Sequence, residues 1–241
     1  MKVGIQVENV IKIENDNLAN YIMFKLDKLE NKFTEEELDK ITEIVINYDE
    51  ESDNSLFLLN ELLKLKKLKS ITLRNGYVYN DDYNIFLNLN DLDDITFENC
   101  EFEKIELISS LNLKSLALIN CEIKDYTFIN ILEILEELTI INGNIEIEKI
   151  NKLHSLKYLQ ISYSKIIDNI ELNISTLEEL YIDNTNINTF DFITKLNNLK
   201  KLSIDRKQYN NNKEIFNNLI KNNISVLNES MSEFGGEDNA V

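Results

Sequence analysis

The chain has 241 residues, with 43 acidic against 25 basic side chains, a formal net charge of −18, and 43% apolar and 28% charged content. That length and composition suit one repeat array or one to two globular domains with a buried core. The acidic balance argues against nucleic acid or an anionic membrane as partner, because both repel such a surface. One histidine and two cysteines exclude a disulfide framework and a His/Cys metal site.

The N-terminal segment, MKVGIQVENVIKIENDN, has its apolar positions interrupted by Gln6, Glu8 and Asn9. A secretory signal requires an unbroken apolar stretch, so none is expected. No apolar run reaches the roughly 20 residues of a membrane helix, and the tail ESMSEFGGEDNAV carries no anchor or lipidation motif. The expectation is a soluble, cytoplasmic monomer. Next, Leu18, Ile22, Leu26 and Leu29 fall at helical spacing. Thr34 and Glu37 form a capping-box pair opening a second helix through Leu38.

From Ile41 on, an apolar-x-x-apolar-x-apolar pattern governs the chain. It starts at Ile41 and recurs at Leu68, Leu92, Leu113, Leu135, Leu156, Leu177 and Leu199. From Leu92 onward the step between starts is nearly constant, and chance does not hold such a step over six consecutive repeats. A further apolar residue follows at a fixed offset after each start from the second on: Val78, Phe102, Ile123, Ile145, Ile166, Ile187 and Tyr209. Just before it, two positions back, stand Gly76, Cys100, Cys121, Gly143, Ser164 and Thr185. This is the leucine-rich repeat pattern with its asparagine replaced, which predicts a weakened asparagine ladder.

Alternation within L-x-L predicts a short strand whose leucines point inward. No repeat of this length can bury its own apolar face, so neighbours must stack. The predicted fold class is α/β: a leucine-rich repeat solenoid of eight to nine repeats, with a curved parallel sheet on its concave side. The return segments supply the convex core: Ile105, Leu107 and Leu111; Phe128, Ile131 and Leu132; Ile147, Ile150 and Leu153; Phe190, Ile193 and Leu196. Short repeats favour 3₁₀ or extended returns, and the longer segment SLFLLNELLKLKK, from Ser55, predicts a helix. Ile215, Phe216, Leu219 and Ile220 predict a closing helix. Ile224 and Val226 stand one further repeat step beyond Leu202 and Ile204 and predict an edge strand. The expected organisation is a helical cap over 1–40, repeats over 41–209, a C-terminal cap over 210–227 and a disordered acidic tail over 228–241.

The segment NLANYIMFKLDKLENKFTEEELDKITEIVI resembles the helical cap of bacterial internalin-type leucine-rich repeat proteins, with Thr34 to Ile46 matching its run into the first strand. The resemblance spans roughly positions 14–227. It implies a recognition scaffold without catalysis, and it transfers no ligand.

Cys100 and Cys121 share one repeat position, where the pattern expects a small buried residue, and free cysteine behaves as one. His154 lies in a loop before a strand and belongs to no Ser/His/Asp or Cys/His constellation. The acidic runs at 49–53 and 81–82 lack the glycine of a calcium loop. Phosphate-cradling and nucleophile-elbow motifs are absent from the sequence. No cofactor, metal or catalytic residue is therefore expected.

The informative surface is the outward set of strand positions, two, four and six places after each start. Its members carry seven acids (Glu43, Asp94, Glu98, Glu137, Glu179, Asp183, Asp205) against two bases, Arg74 and Lys201. Ile119 and Ile141 are neighbours on adjacent strands, continued by Tyr158 and Tyr181 with Tyr163 at the margin. Asp94, Glu98, Asp183 and Asp205 form an acidic rim. An apolar-aromatic centre with a charged rim is how protein-binding patches are built. The reading is a non-catalytic scaffold binding a protein with a basic surface through its concave face. Its alternatives are an acidic inhibitor or immunity protein neutralising a basic toxin or nuclease, and an internalin-like adhesin.

Overall fold

The computed structural model describes residues 10–48, 59–168 and 171–228, in two compact units, Met1–Leu113 and Lys114–Val241. The expected acidic tail lies almost entirely outside the described residues, as does the acidic run at 49–53.

In the first unit, a helix Asp16–Lys25 starts where the Asn15 side chain accepts from the Leu18 N–H at 3.0 Å. Leu18, Ala19 and Ile22 are buried. The helix stops because Asp27 adopts φ 52°, outside the helical region. Leu29 is consequently fully exposed, so only the first half of the expected apolar column is built. The short helix Glu35–Leu38 carries the expected capping box. Thr34 Oγ1 accepts from the Glu37 N–H at 3.2 Å, and the Glu37 carboxylate accepts from the Thr34 N–H at 2.9 Å. Lys28 pairs with Glu37 at 2.6 Å and, with that N–H, holds its carboxyl below the usual range.

Strand β1 (Glu43–Asn47) pairs in parallel with β2 (Ser70–Arg74), beyond whose turn lies the short β3 (Tyr77–Val78). β2 pairs with β4 (Asp94–Glu98), and β3 with β5 (Glu101–Phe102). Ile44, Ile71 and Ile95 meet in register, as do Ile46, Leu73 and Phe97, all buried. The helix expected from Ser55 lies partly outside the described residues; Leu62–Lys64 is a 3₁₀ turn. The repeat that starts at Leu68 returns through an α-helix, Asn80–Leu87, that its pattern did not announce. Its added length buries Tyr83, Ile85 and Phe86. Gly76 is required by close approach, because a Cβ there would collide with the Tyr48 ring.

The second unit holds β6 (Ser115–Ile119), β7 (Glu137–Ile141), the short β8 (Asn144–Ile145), β9 (Tyr158–Ser162), the short β10 (Lys165–Ile166), β11 (Glu179–Tyr181), β12 (Lys201–Ser203) and β13 (Ser225–Leu227). β6, β7, β9, β11, β12 and β13 pair successively, all parallel. Leu116, Leu138, Leu159, Leu180, Leu202 and Val226 form one column in register. The last step is longer than the repeat spacing implies, so Val226 rather than Ile224 faces Leu202. The cause is a longer return, built from two helices, Arg206–Asn211 and Lys213–Lys221. Phe216 and Leu219 form the buried side of the second helix, while Ile220 is exposed. Tyr209 is only half-buried; Gln208 takes the inward place and donates to the carbonyls of Ile182 and Ile187 and to Thr185 Oγ1.

Returns in the short repeats are mostly 3₁₀, at Ile105–Ser110, Thr127–Ile131 and Asp191–Lys195, with one α-turn at Ile147–Ile150. The tighter 3₁₀ period shifts which side chains face inward. Ile108 and Ile129 are fully buried, whereas Ile131, expected in the core, is 61% exposed.

Past most strands the chain reverses through a left-handed residue: Asn75, Asn99, Asn120, Asn142, Tyr163 and Asn184, with φ between 52° and 59°. Asparagine tolerates this conformation better than other side chains bearing a Cβ. Their amides stack. Asn75 Nδ2 donates to Asn47 Oδ1 at 2.7 Å, Asn99 Nδ2 to Asn75 Oδ1 at 2.8 Å, and Asn142 Nδ2 to Asn120 Oδ1. The ladder is thus present one position before the consensus column. The consensus column itself holds small side chains turned onto strand carbonyls: Cys100 Sγ on Leu73 O, Cys121 Sγ on Ile119 O, Ser164 Oγ on Ser162 O and Thr185 Oγ1 on Ile182 O.

The column and the cysteines can each be tested in solution. Leu138→Ala, in the middle of its column and fully buried, should lower stability by about 2–5 kcal/mol through the cavity it leaves. Denaturant unfolding measures this, and a loss near zero would contradict a continuous core. Both cysteines are buried thiols outside any disulfide, and burial pushes the Cys100 thiol up. A thiol reagent should therefore label native protein far more slowly than the denatured chain, in which both thiols titrate.

Candidate functional site

The outward face of the second unit combines rigid backbone with apolar and aromatic side chains. Ile119 and Ile141 sit opposite each other in register, both half-buried. Ser162 continues their line on β9. Tyr158 and Glu179 are opposite neighbours on β9 and β11. The Tyr158 and Tyr181 rings lie 5.1 Å apart, tilted by 38°. Tyr181 donates to Glu179 at 2.8 Å, and the Lys201 ammonium sits 5.1 Å above the Tyr181 ring and 3.6 Å from Glu179.

A chain of hydrogen bonds crosses this face in one direction. Tyr158 OH donates to Gln160 Oε1 at 3.0 Å, Gln160 Nε2 to Ser162 Oγ at 3.3 Å, and Ser162 OH to Asp183 Oδ1 at 3.0 Å. Asn184 Nδ2 reaches Asp183 Oδ2 at 3.3 Å. Asp183 lines a cavity of about 490 Å³ with Tyr158, Gln160, Tyr181, Ser203 and the β13 end, Val226 to Asn228. Burial pushes the Tyr158 hydroxyl up to about 12 and raises that of Tyr181 as well.

The acidic rim expected from the sequence is not a ring of free charges. Asp183 is 1% exposed, because its carboxylate turns under the face to meet Ser162. Asp205 caps the helix Arg206–Asn211, accepting from the Gln208 N–H at 2.9 Å and the Asn184 N–H at 3.2 Å. In the first unit, Glu98 pairs with Arg74 at 2.7 Å and Asp94 accepts from Ser70 Oγ at 2.7 Å. Tyr163 is 44% exposed and holds φ 53°, a strained place for a bulky side chain. The structure therefore joins Tyr158, Tyr181 and Asp183 around one cavity and sets Ile119 beside Ile141. Sequence reading placed Gln160, Ser162 and Ser203 on this face without assigning them a role; nothing in their spacing announces the relay.

His154 is exposed and borders a shallow opening with Glu148, Asn151, Asp168, Glu171 and Asn173. The Asp168 carboxylate there is engaged by the N–H groups of Ile147 and Glu148. Among the described residues no cluster of His, Cys, Asp and Glu is arranged to hold a metal ion. Nor is any helix among them long and apolar enough to cross a membrane.

The strand, asparagine turn and short return repeated in both units define the leucine-rich repeat fold. Solved structures of that fold include an internalin (inlF) from Listeria monocytogenes, with a TM-score of 0.58 at 21% identity. The match covers 79% of this chain and 56% of that one, so the chain spans little more than half the length of that internalin. Internalin C2 from the same organism aligns with a TM-score of 0.59 at 20% identity, over 80% of this chain and 84% of that one. TLR13 in its ssRNA13 complex aligns with a TM-score of 0.52 at 15% identity, over 84% of this chain and 33% of that one. At these identities the likeness is one of fold. No protein-family model and no curated protein matches the sequence.

The buried hydroxyls give a pH prediction. Tyr126 and Tyr158 are both pushed up to about 12 by burial, against about 10 in an unfolded chain. Between those values the folded state holds protons that the unfolded state has released. Stability should therefore be full below pH 10 and fall as pH rises from about 10 to about 12. Spectrophotometric titration of the ten tyrosines should show late-ionising hydroxyls whose number falls by one in Tyr158→Phe.

Proposed function

We propose that the chain is a non-catalytic scaffold that binds a partner protein through the outward sheet face of its second unit. The observation carrying this reading is the in-register pair Ile119 and Ile141 on the same face as the Tyr158–Tyr181 stack. Apolar and aromatic side chains held on paired strands are pre-ordered, and desolvated contacts of that kind dominate binding energy. In this reading residues 1–40 and 210–227 shield the ends of the repeat stack.

The net charge of −18 supports a partner with a basic surface, because complementary potentials steer encounter. It favours, as a second reading, an inhibitor that neutralises a basic toxin or nuclease. The internalin likeness is compatible with an adhesin, and carries fold alone. RNA, present in the TLR13 complex, fits this charge poorly, since each phosphate contact requires a cation.

The test is a photo-crosslinking residue placed at Ile141, with the same residue at the exposed Ile131 as control. Crosslinking to a protein from position 141 and not from 131 supports the proposal; the reverse pattern sinks it. With the captured partner in hand, Ile141→Asp should weaken binding at least tenfold, about 1.4 kcal/mol, while leaving the melting temperature unchanged.

A further inference from the structure

The cavity on this face contains a carboxylate whose charge no side chain of the described residues balances with an ion pair. Asp183 is 1% exposed, and its carboxylate accepts from the Ser162 hydroxyl and the Asn184 side-chain amide. A buried carboxylate is stable when paired, and costly when left with neutral donors alone. Lys201, the basic residue ending the first outward column, is held by Glu179 and the Tyr181 ring instead. Every donor in the relay from Tyr158 through Gln160 and Ser162 points toward Asp183. The carboxylate is thereby fixed as an acceptor at the edge of a space of about 490 Å³, ample for one long side chain.

We infer that this cavity receives the guanidinium of an arginine side chain from the partner protein, a conclusion that rests on the protein-binding reading above. Three features select that group. The carboxylate supplies the opposite charge, and guanidinium meets carboxylate as a two-pronged donor. Tyr158 and Tyr181 both line the space, and aromatic walls suit a planar guanidinium, which is more weakly hydrated than an ammonium. Val226 and Leu227 on the cavity wall suit the aliphatic stem.

The experiment titrates N-acetyl-arginine amide into the full chain and follows amide and tyrosine ring resonances. Ser162, Asp183, Asn184 and the rings of Tyr158 and Tyr181 should shift. N-acetyl-citrulline amide, the uncharged isostere, and N-acetyl-lysine amide should bind at least tenfold more weakly. Asp183→Asn should lower arginine amide affinity at least tenfold at an unchanged melting temperature. Tyr181→Ala, which leaves Asp183 in place, provides a second variant should the first unfold, and it should weaken binding too. Equal binding of citrulline or lysine amide, shifts confined to other surfaces, or full affinity in both variants would overturn the inference. The two proposals fail separately. If Ile141 crosslinks a partner whose affinity is untouched by Asp183→Asn, the pocket inference falls and the face stands. If arginine amide docks here while position 141 captures no protein, the cation site stands and the protein-binding reading falls.

Discussion

A single repeat of this chain is too short to enclose its own leucines, and everything else in the structure depends on that insufficiency. Each inward side chain is buried by its counterpart on the neighbouring strand, so Leu138 needs Leu116 on one side and Leu159 on the other. Parallel pairing keeps the counterparts in register, because a slip of one position would turn every leucine outward. Burying one leucine is worth about 1.5–3 kcal/mol, and the column repeats that gain at each strand. Helices and 3₁₀ turns on the return side vary in type because their only duty is to close the loop and fill the space left.

The periodic part of this arrangement was legible in the sequence because its cause is local. The apolar-x-x-apolar-x-apolar pattern fixes strand positions and their inward faces without reference to anything distant, and Thr34 with Glu37 announces its own cap. What was illegible depends on backbone geometry. The asparagines after most strands are read correctly only once their left-handed conformation is known, and the amide ladder then falls one position before the consensus column. Ile131 points outward because a 3₁₀ turn changes the period at which side chains face the core. Val226 replaces Ile224 opposite Leu202 because two helices precede the last strand, and no repeat spacing encodes that extra length.

The candidate site shows the same division more sharply. Alternation placed Ile119, Ile141, Tyr158 and Tyr181 on one face, which is where they are. It also placed Asp183 there as a surface charge, and here it failed. The short chain past β11 tucks that carboxylate beneath the face, within reach of Ser162 on the neighbouring strand. Asp205 likewise serves a helix terminus, and Glu98 an arginine. Counting charges along a column therefore overstates the field such a face presents, since the count cannot tell a solvated acid from one engaged by a hydroxyl, a helix N–H or a cation.

The relay from Tyr158 to Asp183 has a bearing on how such a surface changes over generations. Three of its members share one strand and the fourth belongs to the next repeat. Stacked repeats can be gained or lost as cassettes, since each contacts chiefly its neighbours. Loss of either repeat, or insertion of another between them, would preserve the core columns and yet part the hydroxyl donor from its carboxylate. The heritable unit of this relay is thus a pair of adjacent repeats, twice the size of the unit that builds the scaffold.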